Sequence, residues 1–267
     1  MKYELGFIGC GNMGGALITC ATKTTDVKKI AVCDHNETKV KKYENAYGVV
    51  GTTTEEVAKH ARFVVWGVKP QMMKAALAPI AAILRERTDV VVITMAAGLS
   101  ISAIRGYIKK ELPIIRIMPN TPVQVGKGLI MYDFNELVDE KTVNEFVKDM
   151  AFAGIMDKID ETLIDAGTAV SGCGPAYMFM YIDALAKGGV KCGLTEEQAI
   201  LYAAATMEGA AKLLLESKLP PEILKQNVCS PGGSTIKGVE ALEQNGLYSA
   251  CEDAVIKAYK RNVELGK

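Results

Sequence analysis

Two stretches of this chain carry residue types at spacings that could do chemistry. The first is Leu5-Gly6-Phe7-Ile8-Gly9-Cys10-Gly11-Asn12-Met13-Gly14. Gly9, Gly11 and Gly14 stand at G-x-G-x-x-G spacing, after an apolar run and before a helical pattern. In that setting each glycine has its own task. Gly9 makes a tight turn, Gly11 lets a pyrophosphate approach the backbone, and Gly14 lets the helix lie close to the strand. Free amides at the positive end of the helix dipole would hold the pyrophosphate. A second apolar run, Ile30–Cys33, ends at Asp34. An acid about twenty residues past the glycines is expected to accept ribose hydroxyls. A glycine turn in an α/β unit without a ligand is the alternative on the same residues.

The second stretch is Cys229-Ser230-Pro231-Gly232-Gly233-Ser234-Thr235-Ile236. Pro-Gly-Gly breaks one element, and Ser234 or Thr235 can cap the helix that follows. Lys237 and Gly238 stand where a capping box would place Glu or Gln, so no side-chain carboxylate is positioned for the first amides. With the N–H groups of Gly232 and Gly233 beside them, these amides make a receptor for a small carboxylate. An ordinary capped helix after a flexible loop is the alternative.

Missing residue types narrow the chemistry. Hydride transfer to a ketone needs a general acid, often His or Lys. The only histidines are His35 and His60, and Ser171–Phe179 has no lysine where hydroxyacid dehydrogenases of this layout place one. An imine asks for less, because its nitrogen is basic and one hydroxyl can deliver or orient the proton. The residues therefore favour C=N over C=O reduction.

The elements that must position these stretches fall into two kinds. Over the first half, short apolar runs alternate with helical patterns. The runs are Leu5–Gly9, Ile30–Asp34, Phe63–Val68, Val90–Thr94, Ile114–Met118 and Leu129–Tyr132. Continuous apolar runs suit strands covered on both faces, and the alternation predicts a doubly wound parallel sheet. Helical spacing covers Gln71–Arg87 and Ser100–Lys109, among others. Ligands collect beyond the C-terminal strand ends of such sheets. This directs attention to Gly67-Val68-Lys69-Pro70, Met95-Ala96-Ala97-Gly98 and Met118-Pro119-Asn120-Thr121-Pro122. The two prolines would hold Asn120 and Thr121 extended with their side chains presented. From Glu161 onward the patterns are helical: Thr162–Val170, Ala176–Lys191, Thr195–Ser217, Pro221–Gln226, Ser234–Gln244 and Leu247–Leu265. Ala176–Leu185 is apolar nearly all round, as in a helix buried on every side. So wide an apolar face over so few helices predicts dimerisation, with a compact monomeric bundle as the alternative.

Composition bounds the remaining classes. Lys+Arg and Asp+Glu balance at 31 each without a basic cluster, which speaks against nucleic acid. No apolar run is long enough to span a bilayer, no secretory pattern is present, and two histidines make a zinc site unexpected. Seven scattered cysteines with no C-x-x-C pair predict reduced thiols and a cytoplasmic location.

Taken together, these motifs resemble the pyrroline-5-carboxylate reductase family almost end to end. The likeness rests on the glycine turn and on Val68-Lys69-Pro70, Ala96-Ala97-Gly98, Arg116–Pro122, Ser171–Tyr177 and above all Ser230–Ile236. It implies an α/β fold in two domains. Residues 1–160 would form an N-terminal Rossmann-like doubly wound sheet that binds NAD(P). Residues 161–267 would form an all-helical C-terminal domain for substrate binding and dimerisation. The implied reaction is reduction of the cyclic imine 1-pyrroline-5-carboxylate to L-proline with NADPH or NADH, the last step of proline biosynthesis. The implied assembly is a homodimer, in some members a homodecamer. A β-hydroxyacid-type NAD(P) dehydrogenase and a non-catalytic NAD(P)-sensing protein are the competing readings.

Carried over by position, Ile8, Gly9, Cys10, Gly11, Asn12, Met13 and Gly14 would hold the pyrophosphate and Asp34 the ribose. Val68, Lys69, Pro70, Met95, Ala96 and Ala97 would line the adenosine and nicotinamide side. Asn120 and Thr121 would face the carboxamide, and Asn227 would touch cofactor across the dimer. Ser230, Gly232, Gly233 and Ser234 would hold the substrate carboxylate, with Glu161 nearby. Thr235 would be the catalytic residue, hydrogen-bonding the ring nitrogen as proton donor or orienter. Two positions depart from the pattern. Thr54 stands where some members have an asparagine, and Asp34-His35-Asn36 lacks the arginine that many NADP sites use. Taken alone, Asp34 predicts NADH.

Overall fold

The computed structural model describes residues 1–68 and 70–266. It divides into two compact units, Met1–Cys173 with Ala258–Lys267, and Gly174–Lys257.

The first unit is built on one eight-stranded sheet. Its strands are β1 (Tyr3–Ile8), β2 (Ile30–Cys33), β3 (Val50–Gly51), β4 (Ala61–Trp66), β5 (Val91–Thr94), β6 (Ile114–Pro119), β7 (Gly128–Phe134) and β8 (Gly154–Lys158). They lie in the order β3-β2-β1-β4-β5-β6-β7-β8. The helices are α1 (Asn12–Ala21), α2 (Glu37–Tyr47), α3 (Thr54–His60), α4 (Pro70–Leu77), α5 (Ala81–Glu86), α6 (Ile101–Ile108), α7 (Glu140–Asp149) and α8 (Ile164–Gly167). Alternation along β4 shows why the strands read as unbroken apolar runs. Phe63 and Val65 pack on one face with Leu17 of α1, Tyr43 of α2 and Phe146 of α7. Val64 and Trp66 pack on the other with Val57 of α3, Met73 of α4, Leu84 of α5 and Ile104 of α6. Both faces are covered over Phe63–Trp66, so all four of these positions are apolar.

The sheet departs from the predicted all-parallel winding at one pair: β7 runs antiparallel to β6. Only the short 3-10 turn Thr121–Val125 intervenes, and a parallel crossover needs a dozen or more residues. β8 is parallel to β7 because α7 supplies a full crossover. The helical pattern Gln71–Arg87 is broken into α4 and α5 around Pro79, which lacks an amide hydrogen and clashes with the preceding turn. β3 and β8 escape the sequence reading. The first has only two residues, and the second is largely exposed at the sheet's edge and carries little apolar signal.

The second unit is helical, with α9 (Gly174–Lys191), α10 (Glu196–Ser217), α11 (Pro221–Val228), α12 (Ser234–Gln244) and the larger part of α13 (Leu247–Leu265). A complete capping box between Thr195 and Gln198 starts α10. Lys218, in left-handed conformation at φ +57°, ends it before Pro220 and Pro221. The apolar girdle of α9 is not buried on every side. Phe179 is 67% and Met180 72% exposed, and Leu213 and Leu215 of α10 are exposed too. The unit cannot cover this surface with its own helices. Exposure on this scale marks an interaction face.

The last residues of α13 return to the first unit. Asn262 is buried and donates from Nδ2 to the Asp165 carbonyl at 3.3 Å. Gly266 lies so close to Gly98 that a Cβ on it would stand 2.1 Å from the Gly98 carbonyl oxygen.

Candidate active site

The winding of the sheet reverses between β1 and β4, and the glycine turn sits at that point. Gly67, just after β4, donates to the Ile8 carbonyl at 2.8 Å, and Gly9 donates to the Cys33 carbonyl at 2.8 Å. The three glycines have three different surroundings. Gly9 is at φ +106°, a conformation that favours glycine. A Cβ on Gly14 would lie 2.1 Å from the Gly9 carbonyl oxygen, so helix and turn touch through backbone alone. A Cβ on Gly11 would meet nothing within 4 Å, which leaves that side of the turn free for a ligand. Gly11 is also the N-cap of α1, with no side-chain cap and no acid in the first turn. The first amides of α1 therefore have no protein anion before them, and a pyrophosphate fits.

These surroundings predict opposite failures. Gly14→Ala must push α1 away from the turn, costing about 1–3 kcal/mol by overpacking. Its melting temperature should fall together with dinucleotide affinity. Gly11→Ala should melt like the wild type yet bind dinucleotide poorly, because the methyl group occupies the ligand's side. Thermal melts and dinucleotide titrations check both. A stable Gly14→Ala or a tight-binding Gly11→Ala would contradict the geometry.

Cys10 lies inside the turn, and burial followed by the neighbouring Asp34 carboxylate pushes its thiol up to about 12. Burial likewise raises Cys20 and Cys33 to about 11. None of the three supplies a thiolate at neutral pH. Iodoacetamide should label them only after unfolding; rapid labelling of Cys10 in the native protein at pH 7 would overturn this.

Asp34 anchors the turn to the second strand end. Its Oδ2 accepts from the Cys10 amide at 2.7 Å and its Oδ1 from the Asn36 amide at 2.9 Å. Beside it opens a cavity of about 490 Å³, walled by the end of β2, the start of α2 and residues 51–55. Thr54 lines it and approaches the Cys33 thiol, with Oγ1 and Sγ 3.7 Å apart. Ile8 is buried, and Met13, Val68 and Pro70 are half-buried around the same strand ends. Asn12 is exposed. Lys69 lies outside the described residues. Gly67 opens the Gly67–Pro70 stretch read from the sequence as a ligand-side strand end, and its Cβ position is 2.8 Å from the Gly9 carbonyl oxygen. A glycine directly after a buried strand was the available signal.

The next two strand ends are held by polar braces. Ala96 is buried and Met95 and Ala97 half-buried in the loop after β5, which leads to α6. Glu161 accepts from the Ile101 amide at 2.7 Å, so its carboxylate sits on the first turn of α6. The same oxygen lies 3.3 Å from Nη1 of Arg116, whose Nη2 is 3.0 Å from Asp165. Arg116 is 3% exposed in the middle of β6. A lone arginine in an apolar strand requires counter-charges, but nothing in the spacing indicates where they lie. Asn120 does not present its side chain outward as expected. Its Nδ2 donates to the Ser171 carbonyl at 3.2 Å and its Oδ1 accepts from the Leu129 amide at 3.0 Å. Thr121 is exposed at the start of the 3-10 turn.

The second stretch lies wholly in the helical unit. Gly233 donates to the Ser230 carbonyl at 3.0 Å across Pro231 and Gly232, and Gly232 is at φ +73°. Proline then glycine at positive φ is the signature of a type II turn. The cap differs from expectation: Gly233, not Ser234 or Thr235, is the N-cap of α12, and no side chain caps the helix. A proline-led turn delivers the chain to the helix through Gly233, placing both hydroxyl residues in the first turn. Gly233's own amide is taken by Ser230, so the receptor amides are those at the start of α12, beginning with Ser234 and Thr235. Ser230, Gly232, Ser234 and Thr235 are exposed, as is Asn227 near the end of α11. Among the described residues no group of acids, cysteines and histidines could hold a metal ion.

The reversing sheet with its unobstructed glycine turn defines a dinucleotide-binding protein of the doubly wound class, here carrying a helical second unit. Comparison with known proteins narrows this. Residues 161–265 match the family model described as pyrroline-5-carboxylate reductase dimerisation. Residues 4–98 match one described as NADP oxidoreductase, coenzyme F420-dependent. The chain is 34% identical over 270 residues to the pyrroline-5-carboxylate reductase of Escherichia coli K12, covering 100% of each. It is 36% identical over 271 residues to that of Synechocystis, again covering 100% of each. The crystal structure of Plasmodium falciparum pyrroline carboxylate reductase with NADP bound superimposes with a TM-score of 0.90 at 30% identity, covering 100% of both chains. The chain belongs to the pyrroline-5-carboxylate reductase family.

Proposed function

We propose that this protein reduces 1-pyrroline-5-carboxylate to L-proline with NADPH or NADH. The observation that carries this reading is the full-length match to the E. coli enzyme, which spans the glycine turn and the α12 start alike. The hydroxyacid dehydrogenase and sensor readings are not favoured: they explain neither the match of residues 161–265 nor the uncapped start of α12.

In this reading the dinucleotide rests on Ile8–Gly14, with Asp34 at a ribose. Val68, Pro70, Met95, Ala96, Ala97 and Thr121 line it, with Lys69 assigned beside them from its sequence position alone, and Asn227 touches it across the dimer. Asn120 acts by holding the loop. The dihydronicotinamide supplies a hydride to the imine carbon. The first amides of α12, with Ser230, Ser234 and the Gly232–Gly233 turn, hold the substrate carboxylate. Thr235 hydrogen-bonds the ring nitrogen, which takes the π electrons and one proton, delivered or oriented by the Thr235 hydroxyl and replaced from water, to become the secondary amine. Glu161 acts through Arg116 and α6, shaping the loop that precedes it. The domains are assigned as 1–160 for dinucleotide and 161–267 for substrate and dimerisation. The exposed apolar faces of α9 and α10 support a dimer, with a decamer as the further assembly. No helix among the described residues is long and apolar enough to cross a membrane. Seven cysteines without a disulfide support a cytoplasmic home.

The test is loss of NADPH or NADH absorbance on adding pyrroline-5-carboxylate, with proline identified as product. No oxidation of either cofactor by folded, dimeric protein would refute the assignment.

A further inference from the structure

We infer that the ribose end of the dinucleotide site selects NADH over NADPH, with Asp34 as the discriminating residue. The inference rests on the reductase reading only for the presence of a dinucleotide.

The Asp34 side chain is 4% exposed, and it is clamped from two sides. The Cys10 amide of the glycine turn holds Oδ2, and the Asn36 amide at the start of α2 holds Oδ1. Asp34 cannot swing away without releasing the turn that would carry the pyrophosphate. A carboxylate offers about four acceptor positions; Oδ1 faces both the Asn36 amide and His35 Nδ1, while Oδ2 has given only one position, to Cys10, and keeps room for a hydroxyl donor. A ribose 2′-hydroxyl donates to it. A 2′-phosphate has only acceptors to offer and brings like charge, so it meets repulsion and no hydrogen bond.

The surrounding cavity acts in the same direction. Glu37, Glu44 and Glu55 line it together with Asp34, against a single ammonium, Lys41. Glu44 is itself fixed, accepting from the Gly51 amide at 3.0 Å. Among the described residues no arginine lines the cavity, so the planar fork that recognises a phosphate is missing. His35 lies 3.1 Å from Asp34 but is 81% exposed, where water screens it. The selection belongs to these residues and not to the family as a whole, since the Plasmodium relative was solved with NADP.

The test uses the whole protein without substrate, so that binding is read apart from turnover. Calorimetric titration with NADH, NADPH, ADP-ribose and its 2′-phosphate is the readout. NADH should bind at least about tenfold tighter than NADPH, and ADP-ribose should exceed its 2′-phosphate by a similar factor. Asp34→Asn keeps the size and an acceptor for one amide while removing the charge, and should narrow the gap severalfold. Should that variant melt early, Glu37→Gln with Glu55→Gln leaves the turn untouched and should narrow the gap as well. Equal or tighter binding of NADPH by the wild type overturns the inference, as does a gap that none of these changes moves. Failure of all four ligands to bind would overturn the reductase reading and this inference with it.

Discussion

Thr235→Ala should lower kcat about a hundredfold or more while leaving dinucleotide affinity and melting temperature near wild type. A positioned proton donor or orienter contributes on that scale. The structure separates this effect from a structural one. Thr235 lies in the first turn of α12 with its side chain exposed, and Gly233 is the cap. Removing the hydroxyl thus takes nothing from the helix, and alanine is the better helix former. Thr235→Ser keeps the hydroxyl and should recover most of the rate. If the alanine variant lost stability and turnover in proportion, or if serine gave no rescue, Thr235 would be a helix residue and nothing more.

The largest loss of stability is expected at Arg116. Arg116→Met should cost about 3 kcal/mol, the scale for breaking a buried ion pair from one side. Glu161 and Asp165 are each left with a carboxylate facing an apolar strand. Both keep some contact with water, at 26% and 23% exposure, which limits the penalty. Glu161 also holds the Ile101 amide, so a loosened Glu161 frees the start of α6 and the Met95–Gly98 loop before it. Turnover should fall along with the urea midpoint. Glu161→Gln keeps a neutral acceptor in place and should cost only about 1 kcal/mol. An Arg116→Met protein with an unchanged urea midpoint would show that the network contributes nothing net.

What could be read from the chain beforehand follows from the range of each interaction. The glycine turn was legible because its requirements are local: Gly9 at positive φ, Gly14 against a carbonyl, and Gly11 beside open space. The buried strands were legible because two covered faces leave few polar positions, Thr94 and Arg116 being the buried exceptions. The capping of α12 was not, because three small residues in a row all suit a cap and the preceding turn selects among them. The partners of Arg116 were hidden because ion pairing across the fold leaves no spacing to detect. The antiparallel β7 was within reach, since the short run from Pro119 to Gly128 already excludes a crossover. The inward turn of Asn120 was not, as its acceptor Ser171 lies in a different element.

The return of α13 gives synthesis and assembly different orders. The chain from Ala258 onward belongs to the first unit, where Asn262 closes on Asp165 and Gly266 on Gly98. Domains generally fold as they leave the ribosome, earliest part first. Here most of the dinucleotide unit is translated first, but its last contacts must wait for the residues from Ala258 onward. Gly98, in the loop after β5, lacks its contacts with Asn262 and Gly266 throughout translation of the helical unit. A chain cut short by a handful of residues would retain every strand of the sheet and still leave the first unit unfinished.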